Sequence, residues 1–268
     1  MWKCVLVLAL MASFSVSAAN DCAVGEENCW ECGDNCTARF DPQTKTFQVS
    51  GTGQMAGLAT DGQAANVPWS HIAPLVKEIT FEGSLQSISM YAFYRMPAEN
   101  VTIPDTVTTI GFGAFYENHA LQNITIPDSV TKIGSHSFYN TNIKNIVIPD
   151  SVKFIENSAL LGCPKLQTLT IGENTQLNEI FGSTIPQNLK IYCTGDTTKC
   201  DANLEAAGYP ELKSIGATTK QANGVTYVFD NKGKLVTTSG RRTEKRIYTI
   251  DEANIVAGKV NSVKIRYR

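Results

Sequence analysis

A pattern of 22 to 23 residues recurs along the middle of the chain and constrains its fold more than any other feature. Alternating apolar residues, a Pro-Asp step and a Val-x-x-Ile segment begin at Val101, again at Ile124 and again at Ile146. Each copy is followed by a small residue and a bulky apolar one, as in Ala114-Phe115. A unit this short cannot bury its own apolar face, so the copies must stack on one another as a solenoid.

Degenerate copies of the pattern flank the three clear ones. Residues 79–93 fit an upstream copy that lacks the Pro-Asp step, and residues 169–180 fit a downstream copy with an insertion. Residues 189–191 have the pattern of a final strand. We therefore predict about five repeats, with atypical copies at both ends. Gly172 in place of the Pro and Glu156 in place of the Gly indicate that regular stacking ends in that region.

The residue types within one repeat predict its local structure. Ile124 and Ile126 point to the same side of a strand, because side chains alternate along it. Pro127 cannot donate to a sheet ladder, so it ends the strand. Val130 and Ile133 are three residues apart, which predicts a tight turn or 3-10-like segment with both side chains on one side.

The unit I-x-I-P-D-S-V-x-x-I-G, followed by A-F, resembles the leucine-rich repeats of the BspA-like type found in bacterial and some protist surface proteins. The resemblance covers about Val76 to Ile191. Residues 32–53, with Pro68-Trp69 after them, resemble the β-hairpin cap that precedes such repeats. The resemblance implies a right-handed leucine-rich-repeat solenoid, mostly β with short 3-10 or helical turns and a parallel sheet on its concave face. It also implies a secreted or cell-surface, adhesin-like protein.

The chain divides into four predicted segments. Residues 1–19 combine a lysine, an apolar run and small residues, which is typical of a cleaved secretory signal peptide. We interpret residues 20–72 as a Cys-rich N-terminal β-hairpin cap and residues 73–200 as the solenoid. Residues 217–268 are predicted to form a small C-terminal α+β module. That last segment has 11 Lys and Arg against 4 Asp and Glu, a net charge of +7, whereas the whole chain has a net charge of −2.

The C-terminal module has its own sequence pattern. We expect a polar linker over residues 219–224, a β-hairpin over 225–238, a short helix over 250–256 and a last strand over 260–267. We interpret its basic charge as a solvated face of a small β module, rather than as a patch for nucleic acid or an anionic surface. Attachment of the module to a cell envelope is a hypothesis.

Seven cysteines remain once Cys4 is removed with the signal, and predicted export favours disulfides among them. The first four allow three pairings, which the sequence leaves open. Cys193 and Cys200 would close a short loop. A zinc site and a dithiol redox motif are less consistent with the pattern, because it contains a single C-x-x-C unit and no βαβ context. In this repeat type the position of Cys163 often carries a buried small polar or thiol residue, which implies a buried free thiol. The four N-terminal disulfide candidates are Cys22, Cys29, Cys32 and Cys36.

The sequence contains no signature of catalysis or of a cofactor. Its 3 histidines lack matching carboxylates, and no G-x-S-x-G, H-E-x-x-H or Walker-type loop occurs. Asp105, Asp128 and Asp150 recur once per repeat, a spacing that could bind calcium in a solenoid. A turn-forming Asp after Pro explains all of them without a ligand. We expect no enzyme activity, no metal and no cofactor.

A surface remains as the candidate functional feature. The outward-facing residues of the repeat strands form two columns, here called the strand ladder, which is polar and nearly uncharged. Its rungs should lie about 4.8 Å apart, and a rigid surface loses little entropy when it binds.

We expect a monomer that binds a protein or a glycan on this ladder, without nucleic acid and without a membrane span. The alternative is a structural or envelope component anchored through the basic module. The predicted face comprises Glu78, Thr80, Asn100, Thr102, Asn123, Thr125, Asn145, Val147, Thr168 and Thr170.

Overall fold

The protein is a β-solenoid, as the sequence predicts, with about six turns, in a computed structural model that describes residues 22, 26–55, 67–222 and 225–239. In chain order its strands are β1 (Cys29–Gly33), β2 (Cys36–Asp41), β3 (Thr46–Gln54), β4 (Glu78–Ile88), β5 (Asn100–Thr102), β6 (Thr109–Ile110), β7 (Asn123–Thr125), β8 (Lys132–Ile133), β9 (Asn145–Val147), β10 (Phe154–Ile155), β11 (Thr168–Gly172), β12 (Gln176–Leu177), β13 (Lys190–Thr194), β14 (Ser214–Ala222), β15 (Val225–Asp230) and β16 (Leu235–Ser239). A short 3-10 helix, Ala73–Leu75, and one α-helix, α1 (Thr197–Ala206), complete the described elements.

The repeats form two sets of parallel strands rather than one. The first strands of successive coils form two groups. β5 pairs with β7, and β11 pairs with β9 on one side and with β13 on the other. The second strands, β6, β8, β10 and β12, pair as a separate sheet. The prediction of a turn or 3-10-like segment between Val130 and Ile133 is therefore wrong where β8 lies. The reason is that the carbonyls and N–H groups there can pair with the neighbouring coils, which a single repeat cannot show.

The interior of the solenoid is a column of apolar side chains. Ile124 and Ile126 are both buried, as their spacing predicts. Phe93, Phe115 and Phe138 stack through the centre, with ring centroids 5.2 Å and 5.7 Å apart. Stacked aromatic pairs add about 1 kcal/mol each beyond the apolar area that they bury.

On the third side of each coil, alternate backbone N–H groups bond to the next coil. The N–H of Phe93 donates to the carbonyl oxygen of Ala114 at 2.9 Å, and the N–H of Phe115 donates to Ser137 at 2.8 Å. Phe138 repeats the contact one coil further along. We call this series the turn column. It is a hydrogen-bonded stack without regular strands, and side chains must complete it at its two ends.

The N-terminal end is closed by a hairpin and an indole. Strands β2 and β3 pair antiparallel, which confirms the predicted strand-turn-strand, and β3 pairs in parallel with β4. β4 runs on past Gly83 to pair with β6 of the second-strand sheet, and a Cβ at Gly83 would lie 2.2 Å from the carbonyl oxygen of Gly51. Trp69 is 1% exposed, and its Nε1–H donates to the carbonyl oxygen of Ala92 at 2.7 Å. The turn column thus ends on a side chain at this end.

The C-terminal end is closed by α1, a helix that the repeat pattern does not predict. Asp196 caps α1 by accepting a hydrogen bond from the N–H of Thr198 at 2.9 Å. Cys200 and Leu204 of α1 are buried against the last coils. After the helix, the hydroxyl of Tyr209 accepts the N–H of Phe181 at 2.8 Å. Phe181 occupies the place in its coil that Phe138 occupies in an earlier one, so Tyr209 replaces the missing next coil.

Three disulfides are formed among the described residues, and they decide the pairing that the sequence leaves open. Cys29 and Cys32 belong to different disulfides, so the C-x-x-C segment is not a dithiol pair in this structure. Cys163 is a buried free thiol, 3.3 Å from the hydroxyl of Thr141, and burial raises the pKa of this thiol. The pairs are Cys22–Cys29, Cys32–Cys36 and Cys193–Cys200.

The C-terminal strands extend the solenoid instead of standing apart from it. β14 pairs in parallel with β13, and β15 and β16 form the predicted antiparallel hairpin. The polar linker expected over residues 219–224 is wrong as far as Ala222, because these residues pair with β15. The helix expected over 250–256 and the strand expected over 260–267 lie outside the described residues.

Candidate partner-binding groove

The C-terminal hairpin covers one half of the strand ladder. β16 packs against β9 and β7, so the sheet that starts at β9 folds back over its own outer face. Val147, Thr168 and Thr170 are 6%, 9% and 0% exposed. The expectation that these residues belong to an exposed face is therefore wrong. They are outward-facing on their strands, as predicted, but another part of the chain lies over them.

A second, smaller core lies under the hairpin. Val147, Tyr192, Val225 and Val228 are buried, yet they do not belong to the apolar cluster that fills the solenoid. Burial raises the pKa of the Tyr192 hydroxyl. Burying several apolar side chains stabilises this contact by about 1.5–3 kcal/mol each. The hairpin is thus a packed part of the structure, joined also by a hydrogen bond from Gln221 Nε2 to Asp128 Oδ2 at 2.8 Å.

The other half of the ladder is open. Asn100, Thr102 and Asn123 are exposed, and Thr125 and Asn145 are half-buried. Asn123 Nδ2 donates to Asn100 Oδ1 at 2.9 Å, so two rungs are joined by their side-chain amides. The two remaining predicted residues, Glu78 and Thr80, are half-buried on β4 at the N-terminal end.

The open half of the ladder is the floor of a groove of about 930 Å³, within the size range of ligand sites. The turn between β2 and β3, with Thr44 and Lys45, closes one end. The exposed side chain of Leu75 stands on the wall beside it, and Thr238 and Ser239 of β16 form the opposite boundary. The structure thus brings seven of the ten predicted face residues to the open half, six of them in the lining. The lining consists of Thr44, Lys45, Pro74, Leu75, Lys77, Glu78, Pro97, Glu99, Asn100, Val101, Thr102, Asn123, Ile124, Thr125, Asn145, Thr238 and Ser239.

The hydroxyl of Ser239 joins the hairpin to the floor. It donates to the carbonyl oxygen of Ile124 at 3.1 Å. At this place the first-strand sheet is interrupted, because β7 pairs with β5 while β9 pairs with β11, and β7 and β9 do not pair. The end of β16 is therefore fixed between the third and fourth coils, and it sets where the open ladder stops.

An aromatic strip on the turn side of the solenoid is a feature that the sequence reading missed. Tyr94, Tyr116 and Tyr139 lie in successive coils, with ring centroids 5.8 Å and 4.4 Å apart. Burial, together with the neighbouring Tyr139, raises the pKa of Tyr116 to about 12. Arg95 lies over the Tyr94 ring at 4.9 Å and its Nε donates to Glu117 at 2.5 Å. The signal was present as the recurring tripeptides Ala-Phe-Tyr and Ser-Phe-Tyr.

Two of the three repeated aspartates have structural partners. Asp128 accepts the Gln221 amide, and Asp150 Oδ1 accepts the hydroxyl of Thr194 at 2.5 Å. Within the described ranges, no group of three or more His, Cys, Asp and Glu side chains is placed to hold a metal ion. No helix in the part of the chain that the structure describes has the length and apolar character to cross a bilayer.

Sequence comparison assigns the repeats. Residues 74–192 match the family model described as BspA type Leucine rich repeat region, in six copies. Over this part of the chain, the repeats are similar to leucine-rich repeats of the BspA type. The expected number of about five repeats is thus one fewer than the six matched copies. Gly172 and Glu156 do not mark the end of regular stacking, since β11 and β13 continue it. A search of curated protein sequences finds no significant match to the chain.

Two bacterial proteins of known structure are similar to this chain. A leucine-rich repeat protein from Eubacterium ventriosum ATCC 27560 has a TM-score of 0.53 and 21% identity, over 76% of this chain and 48% of that one. A leucine rich cell surface protein from Faecalibacterium prausnitzii A2-165 has a TM-score of 0.43 and 18% identity, over 66% of this chain and 42% of that one. The chain therefore spans about half the length of these two structures or less.

Proposed function

We propose that this protein is an exported, non-enzymatic leucine-rich-repeat binding protein with an adhesive role, which holds a protein or glycan partner in the groove over the open half of the strand ladder. The observation that carries the proposal is the floor of that groove. There Asn100, Thr102 and Asn123 are exposed on strands that belong to a hydrogen-bonded stack. A rigid polar surface binds with little loss of conformational entropy.

Two further features support this proposal. The predicted signal peptide and the three disulfides are consistent with an oxidising compartment outside the cytoplasm. Leucine-rich-repeat folds typically bind proteins and are typically not enzymes. Secretion or display at a cell surface places the groove where a partner on another surface can reach it.

The test is a binding array of glycans and extracellular-matrix proteins, probed with the wild-type chain and a variant with Asn100, Thr102 and Asn123 changed to Lys. The matched control changes Gln86, Asn157 and Gln176 to Lys, which are exposed polar residues outside the groove. We expect signals that the groove variant loses and the control retains. Signals that both variants retain would place binding elsewhere, and no signal for any protein would favour the structural or envelope role.

A further inference from the structure

Among the described residues, β16 is an edge strand, and it lies beside the groove. On one side β16 pairs with β15, and no strand among the described residues pairs with its other side. The last residues of β16, Thr238 and Ser239, belong to the groove lining. The backbone N–H and C=O groups of an edge strand can pair with another chain, because the sheet leaves them without strand partners.

The boundary of the groove opposite β16 is apolar at Leu75. Leu75 is 52% exposed and follows Pro74 on this wall. Leu75 and Phe154 are the large apolar side chains that the described structure exposes, and Leu75 is the one in the groove. In an added strand, every second side chain would face the floor and meet the amides of the ladder, and the second edge of the strand would face the boundary that carries Leu75.

The groove has no net positive charge that would attract a polyanionic ligand. Its charged lining residues are Lys45, Lys77, Glu78 and Glu99, so its formal charges cancel. Its described lining also contains no aromatic ring. Nucleic acid and acidic glycans need a positive surface, and sugar-binding sites commonly use ring faces. An uncharged polypeptide segment is the ligand class that remains consistent with both observations.

We propose that an extended, uncharged segment of a partner polypeptide binds in the groove by adding as a strand to the open edge of β16. This inference rests on the proposed function, because it names the partner class of the same site. β16 has five residues, which offers backbone pairing to a segment about 17 Å long. The ladder amides then contact every second side chain of that segment, and Leu75 flanks its outer edge.

The test uses a phage-displayed library of random peptides, selected on the full chain with counter-selection on the variant with Asn100, Thr102 and Asn123 changed to Lys. Selected peptides are synthesised and N-methylated at one backbone position at a time. We expect affinity to fall by about tenfold or more at every second position and to change little between them, because only alternate N–H groups face the edge.

A pair of variants tests the wall. Leu75→Asp should weaken binding of the selected peptides by about tenfold, and Phe154→Asp, the matched change outside the groove, should leave it unchanged. Peptides that bind in the groove without the alternating effect of N-methylation overturn strand addition while supporting the proposed function. Glycan signals lost in the groove variant, without peptides, do the same. If neither peptides nor glycans depend on the groove, both proposals fail.

Discussion

The indole Nε1–H of Trp69 donates a hydrogen bond of 2.7 Å to the carbonyl oxygen of Ala92. Ala92 holds the place in the first coil that Ala114 and Ala159 hold in later coils, where the acceptor is reached by a backbone N–H instead. At the other end, Tyr209 accepts the N–H of Phe181. One side chain at each end therefore satisfies the backbone group that the stack would otherwise leave unpaired.

Replacing Trp69 by Phe should lower the free energy of unfolding by about 1–3 kcal/mol, because the carbonyl of Ala92 loses its donor in a buried site. Urea unfolding followed by circular dichroism measures the change. Trp30→Phe is the matched control, since Trp30 is half-buried and packs against Trp69 at 6.0 Å between centroids. Equal losses in the two variants would show that ring volume, and not the hydrogen bond, is what matters.

Tyr209→Phe removes one hydroxyl and leaves the N–H of Phe181 without its acceptor. We expect a loss of about 1–2 kcal/mol in the free energy of unfolding, because an unsatisfied buried donor carries its desolvation cost. Faster amide hydrogen exchange at Phe181 should accompany the loss. Tyr227→Phe removes the same atom from a half-buried residue of β15 and should cost less. Unchanged exchange at Phe181 would contradict the capping role.

Gly113→Ala should cost about 2–4 kcal/mol, from two sources. The backbone at Gly113 has φ of 56°, and a Cβ there would lie 2.5 Å from Cε1 of Tyr91. Gly53→Ala is the control, because Gly53 has φ of 79° and no atom within 4 Å of the added Cβ. The control should show only the backbone cost of about 1 kcal/mol. Similar thermal shifts for both variants would argue against the Tyr91 contact.

Glu156 should make stability depend on acid pH. Its carboxylate bonds to Lys132 Nζ at 2.6 Å and accepts the Ser135 N–H at 3.0 Å, and these contacts lower the pKa of Glu156 below its usual 4.5. A lowered pKa in the folded state gives stability that is present above pH 4.5 and is lost as the pH falls through the folded value.

The variant Glu156→Gln should therefore be less stable than wild type by about 1 kcal/mol at pH 7, and the difference should shrink below pH 4. Urea unfolding at a series of pH values measures this. Glu211→Gln is an exposed control that should track wild type throughout. A difference between Glu156→Gln and wild type that stays constant with pH would rule out the ionised contact as its source.

The repeat pattern was sufficient to predict the solenoid and its interior. Ile124, Pro127 and Phe138 predict a strand, its end and a core filler because each choice has one physical reason within a single repeat. The second sheet could not be predicted in the same way. Strands of two residues, such as β8, have too little length for an alternating pattern, and they exist because neighbouring coils lie alongside them.

The ladder shows where sequence reasoning reached its limit. Thr102 is exposed and Thr170 is fully buried, although both occupy the same column of the repeat. Nothing in their own repeats separates them, since the hairpin that covers Thr170 comes from residues more than fifty positions later. Val147 is the one apolar residue among the ten predicted face residues. An apolar side chain in this polar column indicates that part of the face is buried under other residues.

Because the end of β16 fixes one boundary of the groove and the β2–β3 turn fixes the other, the length of the groove is counted in whole coils. A homologue with one additional repeat would carry the hairpin one strand spacing further from the turn and lengthen the groove by about 4.8 Å. Changes in repeat number would then alter the reach of the site in discrete steps, while the chemistry of each rung stays the same.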